Sequence, residues 1–307
     1  MYHYHNIILE HIKSKNPIHF KKINNFFNSS DTLFFKKSNQ FYQSYENFLI
    51  KNGMDFNQSI DYYLKMISDM NEETFMFHKT GEYTSSSFEE VNKRVYNNPD
   101  VMNYYLHGLI ISQFLWKQHY GSYLFYINTL KKLDINPKNY LEIGVGHGLL
   151  LSESIEFFDA KTTFDALDIS DVSIEFAKNF IGNKNINYYC SDIFNFSPIT
   201  KYDFISMGEV LEHVENPKKL LIKVKSLLNK NGILFITTPT NAPTIDHIYL
   251  FRNINEIRNL LNESGFKIIF EDTIPTENLP KEKIEKYKIS EHYSSFLKIN
   301  HEKKRNI

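Results

Sequence analysis

Cysteine is almost absent from this chain: Cys190 is the only one in 307 residues. That excludes an intrachain disulfide and a cysteine-rich zinc site, and makes a reducing cytoplasm the expected compartment. Net charge is nearly absent too, at -1, so there is no general electrostatic pull toward nucleic acid or an anionic membrane. Long apolar runs are missing as well. Val101 to Trp116 carries no formal charge, but it is shorter than the roughly twenty apolar residues of a span and contains Asn103, His107, Gly108, Ser112 and Gln113. It reads as a buried helix. The first thirty residues scatter Lys13, Lys15, Lys21 and Lys22 without an apolar core or cleavage site, so no signal peptide is expected. No fixed-period repeat occurs. What the chain does have is aromatic side chains, at 15%, within 42% hydrophobic and 23% charged residues. This is the composition of a globular protein with a large core.

From about Lys138 onward, short apolar runs alternate with helical patterns, as in a parallel sheet covered on both faces. Strands are expected at Asn139–Ile143, Thr163–Leu167, Ile186–Cys190, Tyr202–Met207, Gly232–Thr237, Lys267–Glu271 and His292–Ile299. Asn216 and Pro217 start a helix with an apolar stripe at Leu220, Leu221, Val224, Leu227 and Leu228, stopped by Asn231-Gly232. Asn253 and Glu256 form a capping-box pattern, and Gly265 closes that helix. Thr273 to Lys288, with Pro275 and Pro280, reads as loop, and the last strand as an added antiparallel edge. Before Pro137 the periodicity is helical. Asn98-Pro99 caps the uncharged helix, a second helix spans Tyr120–Leu133, and Thr80–Ser87 looks like a mobile connection. The expected organisation is a helical accessory or lid domain over residues 1–136, a nucleotide-binding α/β domain over 137–300 and a charged tail over 301–307.

Tyr140 to Gly148 reads Tyr-Leu-Glu-Ile-Gly-Val-Gly-His-Gly. Glycines at every second position let backbone lie against a nucleotide-like ligand. A nicotinamide-dinucleotide fingerprint would need its third glycine three positions after the second, where Leu149 stands. The ordered set of Glu142-x-Gly144-x-Gly146-x-Gly148, Asp168 ending a second strand, Asp192 after a third, and Glu209-Val-Leu-Glu212-His213-Val214 after a fourth resembles the class I S-adenosylmethionine-dependent methyltransferases. The resemblance runs from about Lys138 to Ile299. It implies a doubly wound, mostly parallel, seven-stranded Rossmann-like α/β sheet, here with an N-terminal helical accessory domain, and S-adenosyl-L-methionine as cofactor.

By that resemblance Glu142 holds the cofactor's ammonium, directly or through water, and Gly144, Gly146 and Gly148 pass beside the sulfonium and adenosine. Asp168, followed by Ile169, accepts both ribose hydroxyls, Asp192 accepts from the adenine amine and Ile193 covers the ring. Gly208 and Glu209 face the methionine end, and Glu212-His213 matches a pair common in small-molecule members. Taken singly, Asp168 also suits a strand-end turn and Asp192 a helix cap. His213, Asp246, His247 and Tyr249 are the catalytic candidates, and Asn241 lies on the same polar, proline-fixed loop facing the crevice. The structural alternative there is a loop in which Asp246 merely orients His247. Tyr104, Tyr105, Gln113, Trp116 and His119, on or near the uncharged helix, are the lid candidates, with one or two of Tyr104, Tyr105 and Trp116 expected to reach the ligand. No metal is expected, since His107, His119, His213 and His247 lack a ligand spacing.

The expected activity is methyl transfer to a small-molecule acceptor in biosynthesis, beneath the lid. The Asn241–Phe251 stretch also resembles methyltransferase-fold enzymes that cyclise the cofactor to azetidine-2-carboxylic acid and methylthioadenosine. A pocket with no room beyond the cofactor would favour that alternative. A noncatalytic cofactor-binding interaction protein is the third reading. No nucleic-acid substrate is expected, because neither the Asp/Asn-Pro-Pro-aromatic pattern nor a Pro-Cys nucleophile is present. No membrane partner is expected, and a homodimer is compatible with the sequence.

Overall fold

A computed structural model of the chain describes residues 3–182 and 184–301. Of the expected charged tail only His301 falls within them. The N-terminal part is helical: α1 His3–Lys15, α2 Pro17–Asn28, α3 Thr32–Lys51, α4 Phe56–Thr80, the short α5 Phe88–Val91 running into a π turn at Asn92–Tyr96, α6 Pro99–Ser112 and α7 Lys117–Leu130. Asn98 Oδ1 accepts the Val101 N–H and Pro99 occupies the first turn, as the sequence indicates. The second expected helix starts earlier and ends earlier than Tyr120–Leu133. No helix among the described residues is long and apolar enough to cross a membrane.

Beyond residue 138 the chain alternates β1 Asn139–Ile143, α8 Leu149–Phe157, β2 Thr163–Asp168, α9 Asp171–Ile181, β3 Ile186–Cys190, β4 Tyr202–Gly208, α10 Pro217–Leu227, β5 Leu228–Thr240, α11 Ile254–Glu263, β6 Phe266–Pro275, α12 Lys281–Tyr287 and β7 Glu291–Ile299. The seven strands form one sheet in the order β3-β2-β1-β4-β5-β7-β6. β1 to β5 are parallel, and β7 runs antiparallel to both β5 and β6. The antiparallel strand is therefore inserted, and β6 is the edge. The region expected to be loop, between β6 and β7, contains α12, entered from Pro280. Asn231-Gly232 does not terminate a helix but lies inside β5, where the register with β4 shifts and a Cβ on Gly232 would stand 3.0 Å from the Tyr202 carbonyl.

Strand alternation divides the core in two. Leu141, Ile143, Ile205, Met207, Leu234 and Ile236 pack in a cluster that includes Leu220, Val224, Ile257 and Leu261 of α10 and α11. Tyr140, Phe204, Phe235 and Phe296 face the other way and join one continuous apolar cluster with α1 to α7. Tyr126 is the hinge pin of that junction. It is fully buried, meets Phe235 at a tilt and stacks on Phe296, with ring centroids 4.6 and 5.9 Å away, and shares a 2.7 Å hydrogen bond with Ser154 of α8. Farther along, Phe48 of α3 meets Phe176 of α9 at 4.9 Å.

The Thr80–Ser87 connection is packed down rather than loose. Ser85 is buried, Arg94 donates to it and to the Ile245 carbonyl, and the Tyr83 hydroxyl accepts the Ala242 N–H. Tyr126→Ala is expected to destabilise the protein by about 3–5 kcal/mol, the range for truncating a fully buried large aromatic. Denaturant unfolding measures it, and a loss below about 1 kcal/mol would show that the helices do not lean on the sheet through this residue.

Candidate active site

The carboxyl ends of β1, β2 and β4 open into a cavity of about 1660 Å³, roofed by the N-terminal helices. The chain leaves β1 through three left-handed glycines, with φ 71° at Gly144, 49° at Gly146 and 77° at Gly148. A Cβ on Gly144 would stand 2.5 Å from Val210 Cγ2, so only glycine fits. Gly146 has no such neighbour, and its bare backbone faces the cavity. Gly148 does not line the cavity; a Cβ there would press on Ile181 and Ala177 at 3.0 and 3.1 Å. It is a packing glycine between α8 and α9. His147 Nδ1 accepts the Leu149 N–H at the start of α8, and burial pulls that imidazole down to about 4, so it is neutral.

Asp168 Oδ2 accepts the Gly146 N–H at 3.0 Å and Oδ1 the Ser170 N–H at 2.9 Å. Burial raises its pKa, and the backbone donors oppose the rise. The carboxylate thus ties the glycine loop to β2 and keeps further lone pairs for a ligand. Asp192 both caps a turn, accepting the Phe194 N–H at 2.8 Å, and lines the cavity beside Ile193; Ile169 lines it as well. Glu142 points into the same space. Its Oε2 accepts from Tyr140 Oη at 2.7 Å and Ser206 Oγ at 2.8 Å, and burial lifts it from 4.5 to about 7 against those hydrogen bonds.

A polar cluster closes the β4 side. Gly208 lines the cavity, and Glu209 follows in the left-handed region at φ 53°, its N–H bonded to the Thr237 carbonyl at 3.0 Å and its Oε1 3.6 Å from His292 Nε2. Glu212 is fully buried and accepts from Thr238 Oγ1 at 2.8 Å; its carbonyl takes the N–H groups of Ile248 and Tyr249, both at 2.8 Å. This bolts the turn holding His213 onto the loop holding Asp246 and His247. Asp246 Oδ1 accepts from Tyr105 Oη and Thr244 Oγ1, each at 2.8 Å. His213 Nδ1 lies 2.9 Å from the Asp246 carbonyl and 2.9 Å from Tyr96 Oη, and its ring meets His247 edge-on at 4.8 Å. Burial drives Glu212 well above the carboxylate range and His247 down to about 3. Asp246 is also buried, yet His213, His247 and its hydroxyl donors hold it below the usual value.

Of the lid candidates, Tyr105, Gln113, Trp116 and His119 line the cavity. Trp116 Nε1 donates to Tyr63 Oη at 2.8 Å, and His119 Nδ1 bonds Ser112 Oγ at 2.9 Å. Tyr104 turns away: its hydroxyl donates to Asp69 at 2.7 Å. Tyr249 also lies outside the cavity lining, its ring against Phe251 and its backbone on Glu212. Asn241 lines the cavity at φ 47°, with its amide donating to the Arg252 carbonyl. The sequence reading missed Tyr96, Thr238 and Thr244, whose hydroxyls serve the buried acids, and Tyr83. Tyr83 and Thr244 lie in loops, Tyr96 ends a π turn and Thr238 lies within β5, and nothing local in the sequence separates these hydroxyls from structural ones.

A methyltransferase-domain family model matches residues 116–273. The ubiquinone biosynthesis O-methyltransferase of Coxiella burnetii is 32% identical over 137 residues, covering 43% of this chain and 56% of that protein. Malonyl-[acyl-carrier protein] O-methyltransferase 1 of Ilyobacter polytropus is 26% identical over 148 residues, covering 44% and 54%. The chain thus spans about half the length of these curated relatives. The solved structure of mitomycin 7-O-methyltransferase superposes with a TM-score of 0.53 at 13% identity, over 75% of this chain and 67% of that one, a likeness of fold.

The raised Glu142 pKa has a measurable consequence. Between about pH 4.5 and 7 the folded chain holds a proton on this carboxyl that the unfolded chain has released. Its contribution to stability is therefore full below about 4.5, declines as pH rises to about 7 and is flat above. The unfolding free energy of the wild type minus that of Glu142→Gln should fall by up to about 3 kcal/mol across that window. A pH-independent difference would show that Glu142 titrates normally.

Proposed function

Because this chain belongs to the S-adenosylmethionine-dependent methyltransferase superfamily, we propose that it methylates a separate small-molecule acceptor enclosed between the sheet and the helical segment. The cavity volume carries this reading. At about 1660 Å³ it exceeds the roughly 300–1,000 Å³ of a usual single-ligand pocket, which leaves room for an acceptor beside the cofactor. Cyclisation of the cofactor on itself calls for the opposite, a pocket that excludes a second molecule.

The residues suit the cofactor. Gly144 and Gly146 offer backbone without side chains, Asp168 keeps lone pairs for the ribose, Asp192 and Ile193 stand ready for adenine, and Glu142 and Glu209 are acceptors for the ammonium. Bound there, S-adenosylmethionine supplies an activated methyl carbon. The protein's task is alignment and exclusion of water. In this reading residues 1–136 are the lid domain. Ile23, Phe26, Met70, Phe77, Leu109 and Trp116 line the cavity from the helical part, so the acceptor has an apolar body, and its reacting group points toward Tyr105, Asp246 and His213.

The reading is tested by incubating the purified chain with S-adenosylmethionine, with and without an apolar metabolite extract, and identifying products by mass. S-adenosylhomocysteine should form only with the extract; methylthioadenosine from the cofactor alone would replace methyl transfer by cyclisation. Asp168→Ala should weaken cofactor binding roughly tenfold to a hundredfold, as expected for about 1.5–3 kcal/mol of lost hydrogen bonding to a charged group. Unchanged affinity by calorimetry would remove Asp168 from the ribose site.

A further inference from the structure

Spacing in the sequence gave no reason to expect a metal, yet folding brings together His213 and His247 from loops after two different strands, with Glu212 between them. We infer that Glu212, His213 and His247 hold one divalent transition-metal ion of the zinc type in the wall of the cavity. Their ligand atoms all lie within 4.8 Å of one another. Glu212 Oε1 is 3.8 Å from His213 Nε2 and 3.9 Å from His247 Nε2. These separations are too long for hydrogen bonds, and only a few tenths of an ångström wider than the edges of a tetrahedron with metal–ligand bonds of about 2.1 Å.

The hydrogen-bond directions point the same way. The Asp246 carbonyl can only accept, so His213 Nδ1, 2.9 Å away, carries a proton and donates to it, which leaves Nε2 as the ligand atom. Its Nε2 therefore presents a lone pair to Glu212 Oε1. That oxygen is buried and has no hydrogen-bond partner among the described residues, while Oε2 is already taken by Thr238. A carboxyl oxygen without a partner and an imidazole lone pair converge in one buried space, and a cation placed between them satisfies both while displacing the carboxyl proton. No lysine or arginine supplies it: among the described residues, the ion-pair contacts of Glu209, Glu212 and Asp246 are all with histidines.

The surrounding shell is that of a ligand site. Metal-bound histidines commonly donate their other N–H to a carbonyl or carboxylate, as His213 does, and Asp246 is itself fixed by Tyr105 and Thr244. One carboxylate oxygen and two imidazole nitrogens form a zinc-type set with an open position; calcium and magnesium prefer oxygen ligands throughout. Both histidines line the cavity, so the open position faces it and is available to an oxygen of a bound acceptor. The site stands on these three side chains and does not depend on which reaction the cavity serves.

The test is calorimetric titration of tag-free, chelator-treated full-length protein with Zn²⁺, repeated with Co²⁺ while recording visible absorption. One equivalent should bind, with the Co²⁺ band of a low-coordinate site. Glu212→Gln and His247→Ala should each weaken binding roughly 100-fold or more, given that even outer-shell losses cost 10–100-fold, whereas His78→Ala on the exposed end of α4 should not. Variants are compared only where circular dichroism matches the wild type. Zinc-edge X-ray absorption of the wild type, which needs no variant, should count two imidazole nitrogens at about 2.0–2.1 Å. Absence of a stoichiometric ion, a shell without two imidazoles, or equal affinity in a folded variant would overturn the site.

Discussion

Glu142, Glu212 and Asp246 are buried at the strand ends of this sheet, and no lysine or arginine among the described residues pairs with any of them. An uncompensated carboxylate in such a place costs several kcal/mol, so the fold has to bring donors to it. Tyr140 and Ser206 serve Glu142, Thr238 serves Glu212, and Tyr105 and Thr244 serve Asp246. All but Tyr105 come from the sheet and its loops. Tyr105 comes from α6, so the helical segment takes part in the electrostatics of the site as well as covering it. Hydroxyls relieve desolvation without neutralising charge, and Asp246, which its surroundings hold below the usual carboxylate range, leaves a negative charge in the cavity wall that suits a cationic ligand.

That requirement explains how the helices are attached. Tyr126 and the aromatic layer of Phe235 and Phe296 fix α7 on the sheet, and this sets the direction in which the preceding α6 crosses the cavity. From α6, Tyr105 reaches Asp246, and from the π turn before it Tyr96 reaches His213. The Tyr83 hydroxyl on the Ala242 N–H then closes the same loop from outside. A rigid apolar junction at one end thereby places hydroxyls at the other to within hydrogen-bond tolerance. Packing and polar satisfaction are one constraint here, because moving α6 would uncover the acids it serves.

Most of the sheet was legible because alternation and caps are local signals. β1 and β3 have the boundaries that their apolar runs suggest, and Asn98, Asn216 and Asn253 cap the helices they precede. The position of β7 was not, since pairing between β5 and β6 is decided by long-range register and leaves no mark in its own sequence. Gly144, Gly146, Asp168 and Asp192, which stand in order after the first three strands, line one cavity, whereas Gly148 turns to helix packing. Tyr104 and Tyr105 illustrate another limit. Adjacent helix positions differ by about 100°, and on an uncharged helix buried on several sides no polar face marks which of two neighbouring tyrosines turns to the cavity. The histidine pair was invisible for a related reason: spacing rules detect ligands on one element, while His213 and His247 come from separate strand ends.

The division of labour between the two halves follows from where their freedom lies. On the sheet side the cavity is lined by backbone and by short, tethered acids: Gly144 and Gly146 cannot accept a larger side chain without strain or collision, and Asp168 is pinned by two amide N–H groups. Substitution there changes whether a nucleotide-like ligand fits at all. On the helical side Phe26, Met70, Leu109 and Trp116 meet the cavity through side chains whose volume can change while the helices keep their places. On the proposed reading, the acceptor's shape is set by α2, α4, α6 and Trp116, and the chemistry done to it by the loops that Glu212 holds together. In that proposal the sheet keeps one cofactor site while the helices vary the acceptor, provided Tyr105 stays on Asp246.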